Sequence, residues 1–265
     1  LGDVISWADQ VTASDRFGVS LYRVEQVALE AGLLPSRYKR NRNTLSIVQQ
    51  ARLFNSTVFV AGCGGIGGNV IELLARLGVG NLILVDQDEV EDHNVNRQLL
   101  SSLDVVGGAK AQLAAQRVNT INPAIEVRAY REAIMLEEAE NLDTVKMLQE
   151  ADIVIDALDN IETKRRLARA CGANSIPIIY GSVAGWYGQV ATQFPGEDTI
   201  ERICSGCSSN RGVEIETGNV SFGPAVVASI QAAEACKIIT GQGDPLRGKM
   251  LFIDLLNMDI EIISI

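Results

Sequence analysis

The chain has 265 residues, 47% of them hydrophobic, and a formal net charge of −10. That is ample for one large α/β domain, or for one domain with an appendage. The acidic balance excludes a general nucleic-acid binder, whose phosphate contacts need clustered Lys and Arg. No apolar run approaches the roughly 20 residues that span a bilayer, so no membrane partner is expected.

The chain opens on Leu1 with neither an initiator Met nor a basic-then-apolar leader. Residues upstream are therefore expected, and a secretory signal is not. The five cysteines (Cys63, Cys171, Cys204, Cys207 and Cys236) are an odd number and mostly sit in apolar segments. They read as reduced, cytoplasmic thiols rather than a disulfide framework. The single histidine, His93, lies between Asp92 and Asn94 in a polar loop. This excludes HExxH-type zinc chemistry and leaves little room for a serine–histidine mechanism.

Residues 1–36 carry spaced apolar positions (Leu21, Val24, Val27, Ala28, Leu33), which predict a short helical prefix ending at Gly32 and Pro35. A cap, an oligomer contact and a partner-binding arm all remain open for it. Next comes the basic cluster Arg37-Tyr38-Lys39-Arg40-Asn41-Arg42. Such runs are commonly solvated faces, but this one precedes a stretch in need of positive charge.

That stretch is 57–86, TVFVAGCGGIGGNVIELLARLGVGNLILVD. It reads as strand, glycine turn, helix, strand and terminal acid. Glycines at Gly62, Gly64, Gly65 and Gly67 let a phosphate approach backbone N–H groups at a helix start, where the helix dipole favours an anion. Asp86 follows Gly62 by 24 residues, close to the roughly 20 at which such units place an acid on a ribose. The turn alone does not choose among NAD, FAD and ATP, and it is also compatible with close helix–strand packing.

Downstream, the loop after Asp86 holds Asp88, Glu89, Glu91, Asn94, Arg97 and Gln98, and Lys110 opens a further helical pattern. Cations on separate elements are able to converge on a triphosphate; separately, each is surface charge. Ile125–Ala129 reads as a strand and 135–150 as a charged helix. The run 151–158 reads as a buried parallel strand leading to Asp156 and Asp159, placed to hold a metal or a ribose or else to cap the helix Ile161–Ala170. Pro177–Tyr180 and the alternating 185–193 read as further strands, 222–239 as an apolar core helix, and Leu251–Leu255 as a closing strand. The predicted class is α/β: a Rossmann-like mixed sheet, parallel in its first half and antiparallel in its C-terminal half, flanked by helices. Cys204 and Cys207 form one CxxC pair; a structural zinc normally needs two such pairs.

Taken together, RYKRN (37–41), VAGCGGIGG (60–68), LVDQDEVEDHNVNRQ (84–98), VGGAKA (106–111), INP (121–123), DALDN (156–160) and IQAAEACKIITG (230–241) resemble the ThiF/MoeB/HesA group of the ubiquitin-activating enzyme superfamily. The resemblance covers 37–265. It implies an ATP- and magnesium-dependent adenylation domain acting on a C-terminal carboxylate, typically the Gly-Gly end of a ubiquitin-like sulfur carrier. A peptide or a small-molecule acid is the alternative substrate. It places Gly62, Gly64, Gly65 and Gly67 at the nucleotide, Asp86 on the ribose with Asp88 beside it, and Asn94, Arg97, Gln98 and Lys110 at the phosphates. Asp159 would hold magnesium, and Arg40 would reach the partner subunit's triphosphate in a homodimer. Relatives with two CxxC pairs bind zinc, for which Cys204 and Cys207 are the candidate ligands here. Glu214 stands where some relatives carry a reactive cysteine, which implies adenylation without a covalent relay. A dehydrogenase, resting on Gly62–Asp86 alone, and an inactive binding scaffold are the competing readings.

Overall fold

The computed structural model describes residues 3–134, 142–205 and 217–265. Three short apolar runs form its centre: β3 (Thr57–Ala61), β4 (Asn81–Val85) and β6 (Ile153–Asp156), all parallel. Successive side chains of a strand point to opposite faces. Val58 and Val60 accordingly enter one apolar cluster, while Phe59 and Ala61 enter another. Burial on both faces is why these strands are uninterrupted apolar runs.

One face is covered by α4 (Gly65–Leu77), α5 (Lys110–Ile121) and α9 (Phe222–Thr240). The other is covered by α6 (Leu142–Gln149), α7 (Ile161–Ala173) and α8 (Thr199–Cys204). With β5 (Glu126–Tyr130), β7 (Ile178–Ala184), β8 (Tyr187–Gln193), β9 (Lys249–Asp254) and β10 (Asp259–Ser264), the eight-stranded sheet has the order β10-β9-β8-β7-β6-β3-β4-β5. Strands β5, β4, β3, β6 and β7 are parallel; β7, β8, β9 and β10 are antiparallel. The mixed α/β sheet expected from the sequence is the sheet observed.

Several boundaries differ from expectation. The prefix is two helices, α1 (Trp7–Phe17) and α2 (Leu21–Glu30), because Gly18 takes a left-handed φ of 64° and ends the first. Strand β1 (Val4–Ile5) then pairs with β2 (Leu34–Pro35). Helix α3 (Ile47–Asn55) begins at a capping box of Ser46 and Gln49, a signal in the sequence that the periodicity alone overlooks. The chain closes on β10, an exposed edge strand, rather than on the strand near 251–255. Of the charged helix expected over 135–150, Leu142–Gln149 is helical, and 135–141 lies outside the described residues.

Two further expectations need correction. Helix α9 is, by length and composition, apolar enough to cross a bilayer, contrary to the sequence reading. It packs instead on α4, β7 and β8 and carries Glu234, which is 1% exposed. That carboxylate accepts hydrogen bonds from Thr192 Oγ1 (2.7 Å), the Leu246 N–H (2.7 Å) and Lys237 Nζ (2.6 Å). The basic cluster is likewise not one cationic face. Arg37 pairs with buried Glu25, donates to Asn122 Oδ1 and lies over the Trp7 ring at 5.0 Å, while Arg42 pairs with Asp3 at 2.5 Å. Lys39 and Arg40 are exposed.

Candidate active site

Ala61 is in register with both Val85 and Asp156, so β3, β4 and β6 release their following loops side by side. Those loops line a cavity of about 1020 Å³ at the carboxyl ends of the strands, the ligand position of open α/β sheets.

The glycine loop is shaped by close approaches. Gly62 has φ +92°, and a Cβ there would lie 2.8 Å from Ala157 O. A Cβ on Gly67 would lie 1.9 Å from Gly62 O, so Gly67 is a packing glycine beneath the cavity rather than part of its lining. Gly64 caps α4 without a side-chain hydrogen bond, and Gly64 and Gly65 line the cavity. The uncapped N–H groups of a 13-residue helix therefore face it.

Asp86 steadies this loop from the end of β4. Its Oδ2 accepts from Cys63 N–H at 2.6 Å and its Oδ1 from Asp88 N–H at 2.8 Å. Burial nevertheless pushes its carboxyl above the usual aspartate range, against those two hydrogen bonds and the Lys110 charge. Lys110 is 8% exposed; its ammonium lies 2.9 Å from Asp88 Oδ2, and its N–H donates to Asp88 O at 3.0 Å.

The loop between β4 and α5 brings the remaining polar groups. Asn94 is 3% exposed and accepts from Glu91 N–H at 3.1 Å in a short 3₁₀ turn. Arg97 leans on that turn, donating to His93 O at 3.0 Å and Asn96 Oδ1 at 2.9 Å. Buried Gln98 places its amide 3.5 Å from where a Gly64 Cβ would be. Exposed Asp159, in the loop joining β6 to α7, also lines the cavity. Neither Asp156 nor Asp159 caps α7; Asn160 does, accepting from Thr163 N–H at 2.9 Å.

Thus Gly62, Gly64, Gly65, Asp86 and Asp88 share one cavity with Asn94, Arg97, Gln98, Lys110 and Asp159. Arg40 is exposed and does not line that cavity within the same chain. Cys204 is buried at its edge, whereas Cys207 and Glu214 lie outside the described residues. Among the described residues no three His, Cys, Asp or Glu cluster as metal ligands. Of the candidate zinc ligands, only Cys204 lies among the described residues.

The sequence reading missed a second set of lining residues. Lys164, in the first turn of α7, is 3% exposed and reaches Asp156 and Gly181 from beneath the cavity. A lysine eight residues after a strand-end acid was its only visible signal. Gln189, Tyr187 and Phe252 come from the antiparallel half and extend the cavity beyond the glycine loop, with the two rings stacked at 5.9 Å. No local motif marks them.

The ThiF family matches residues 38–265. The SAMP-activating enzyme E1 of Haloferax volcanii is 33% identical over 219 residues, covering 80% of this chain and 77% of that protein. The sulfur carrier protein adenylyltransferase of Thermus thermophilus is 34% identical over 215 residues, covering 78% of each. Among solved structures, Escherichia coli MccB with MccA superposes with a TM-score of 0.70 at 25% identity, over 87% of this chain and 72% of that one. By the extent of the family match, by its relatives and by its fold, the chain belongs to the ThiF family.

Proposed function

We propose that this chain is an adenylyltransferase that transfers AMP from ATP to the C-terminal carboxylate of a ubiquitin-like sulfur carrier, releasing pyrophosphate. The observation that carries the reading is the convergence of Asp86, Asn94, Arg97 and Lys110, from the β4–α5 connection, with Asp159, from the β6–α7 loop, on one cavity beside a glycine-capped helix start. The named activities of the Haloferax and Thermus relatives support it.

A carboxylate oxygen attacks the α-phosphorus, the bond to the bridging β-phosphate oxygen breaks, and pyrophosphate carries away that electron pair. Two anions must meet, so the barrier falls mainly through positioning and cationic stabilisation. Asp86 accepts the ribose hydroxyls, and the α4 N–H groups with Gly64 and Gly65 receive phosphate oxygen. Arg97 and Lys110 balance the charge gathering on the departing pyrophosphate, and Asn94 and Gln98 orient the chain by neutral hydrogen bonds. No side chain has to remove a proton, because the nucleophile is already ionised.

Magnesium fits this site. It is commonly held by one or two carboxylates together with substrate phosphates and water, and Asp159 lines the same cavity as Arg97 and Lys110. When bound, it neutralises phosphate charge. Arg40, remote from its own cavity, acts in this reading on the partner's site in a homodimer. Residues 1–36 form an accessory prefix to a 37–265 adenylation domain. The dehydrogenase reading leaves Arg97, Lys110 and Asp159 without a task.

The deciding measurement is exchange of labelled pyrophosphate into ATP, dependent on an added carrier ending in Gly-Gly, with peptides and small acids in parallel. Exchange with the carrier supports the proposal. Exchange with peptides or acids alone moves the substrate class, and ATP binding without any exchange would falsify it.

A further inference from the structure

Beneath the loop that carries Asp159 lies a charge pair to which the phosphate-facing residues assign no role. Asp156 closes β6 at 0% exposure, and Lys164 is 3% exposed. The ammonium donates to Asp156 Oδ1 at 3.0 Å and to Gly181 O at 2.7 Å, and lies 4.8 Å from the centre of the Tyr180 ring. From α9, Gln231 Nε2 donates to Asp156 O at 2.9 Å and Ile179 O at 3.0 Å. A Cβ on Gly181 would lie 2.4 Å from that nitrogen, so the amide fits only because Gly181 has none. Asp156 Oδ2 is buried without a hydrogen-bond partner among the described residues.

An ion pair buried this deeply is often no better for stability than apolar residues of the same volume, so its placement is informative. Asp156 Oδ1 also accepts from Leu158 N–H at 3.1 Å. Ala157 N–H donates to Ala61 O at 2.9 Å, and Ala157 O is the atom that a Cβ on Gly62 would strike. The loop 157–160 is thus pressed against the glycine loop at one end and closed by the α7 cap Asn160 at the other. Asp156 and Lys164 are its fixed point.

We propose that Asp156 and Lys164 are positioning residues for the adenylation site: their contact holds the 157–160 loop against Gly62, so that Asp159 lines the same cavity as Lys110 and Arg97. The inference rests on the reading of Asp159 as the magnesium-holding residue. The Lys164 ammonium is already engaged by Asp156 Oδ1 and Gly181 O. It acts through the loop, as residues behind a metal ligand commonly do.

The test compares the full chain with Asp159→Asn, Lys164→Met, Lys164→Arg and the paired Asp156→Leu/Lys164→Met. Four readouts are taken: magnesium at half-maximal pyrophosphate exchange, Mn²⁺ binding by electron paramagnetic resonance with a non-hydrolysable ATP analogue, metal-free ATP binding, and thermal unfolding. Lys164→Met should weaken metal binding about 10- to 100-fold while leaving metal-free ATP binding nearly unchanged. Lys164→Arg should recover most of the loss. The apolar pair should regain thermal stability but keep the metal defect; if it regains both, the pair is merely structural and the proposal is overturned. Unchanged metal binding in Lys164→Met overturns it too, provided that Asp159→Asn is defective. If Asp159→Asn also binds metal normally, the reading of Asp159 fails and the positioning role falls with it. Should Lys164→Met not fold, Lys164→Arg against the apolar pair makes the same decision.

Discussion

Lys110 Nζ lies 2.9 Å from Asp88 Oδ2 while its own N–H donates to Asp88 O, so one residue tethers both ends of the lysine. Lys110 is 8% exposed and lines the cavity. Lys110→Met removes a preorganised cation, and pyrophosphate exchange should fall about 100-fold. Asp88→Asn keeps the cation and loosens its tether, so the fall should be nearer tenfold. Steady-state exchange assays distinguish the two, and an undiminished Lys110→Met enzyme would remove Lys110 from the reaction.

The glycines divide by what a Cβ meets. Gly67→Ala drives a methyl to 1.9 Å from Gly62 O. The helix start must shift, with an overpacking penalty of about 1–3 kcal/mol, visible in urea denaturation without nucleotide. Gly64→Ala meets only the Gln98 side chain, at 3.5 Å. It should leave that stability nearly unchanged and weaken ATP binding, measured by calorimetry. Equal effects on both quantities in both variants would contradict this division.

Arg40 is exposed and absent from the lining of its own cavity. If it serves the partner's site, Arg40→Ala and Asp159→Ala subunits are each inactive alone, and a mixed dimer has one intact site. Random mixing of equal amounts should restore about a quarter of the wild-type exchange rate. A verified heterodimer without activity would exclude the trans role.

Hydrogen bonds from Arg117 hold the Glu72 carboxyl below the usual glutamate range against a smaller burial effect, with Arg76 adding to them. A carboxylate whose folded value is depressed contributes stability in full above its unfolded value of about 4.5. That contribution fades as pH falls through the lowered folded value. Wild type should therefore exceed Glu72→Gln in stability at pH 7, and the difference should shrink below about pH 4.5. Denaturation midpoints from pH 7 to 3 measure it; a constant difference would show that the ion pair is not its source.

Much of the fold was legible because its central strands are buried on both faces and followed by amphipathic helices, a pattern that hydrophobic spacing reports directly. The turn chemistry around them is also local, as in the positive φ of Gly62, although the capping box of Ser46 and Gln49 was passed over. The strand β10 escaped because it is exposed along its whole length, so no buried stripe marks it. The basic cluster misled because charge in a sequence does not show which cations already have buried partners, as Arg37 does in Glu25.

The sequence by itself determined the α/β class and the glycine turn between β3 and α4, both written in local spacing; the grouping of the polar residues into one site came from the family resemblance. Only the tertiary structure decided that Gly67 packs beneath the cavity rather than lining it, and that Arg40 stands apart from its own site. It alone set Lys164 against Asp156 below Asp159 and brought Tyr187, Gln189 and Phe252 to the far end of the cavity. The reason is physical: these relations arise where strands distant in sequence become neighbours, and close packing across a sheet leaves no periodic trace in any one segment.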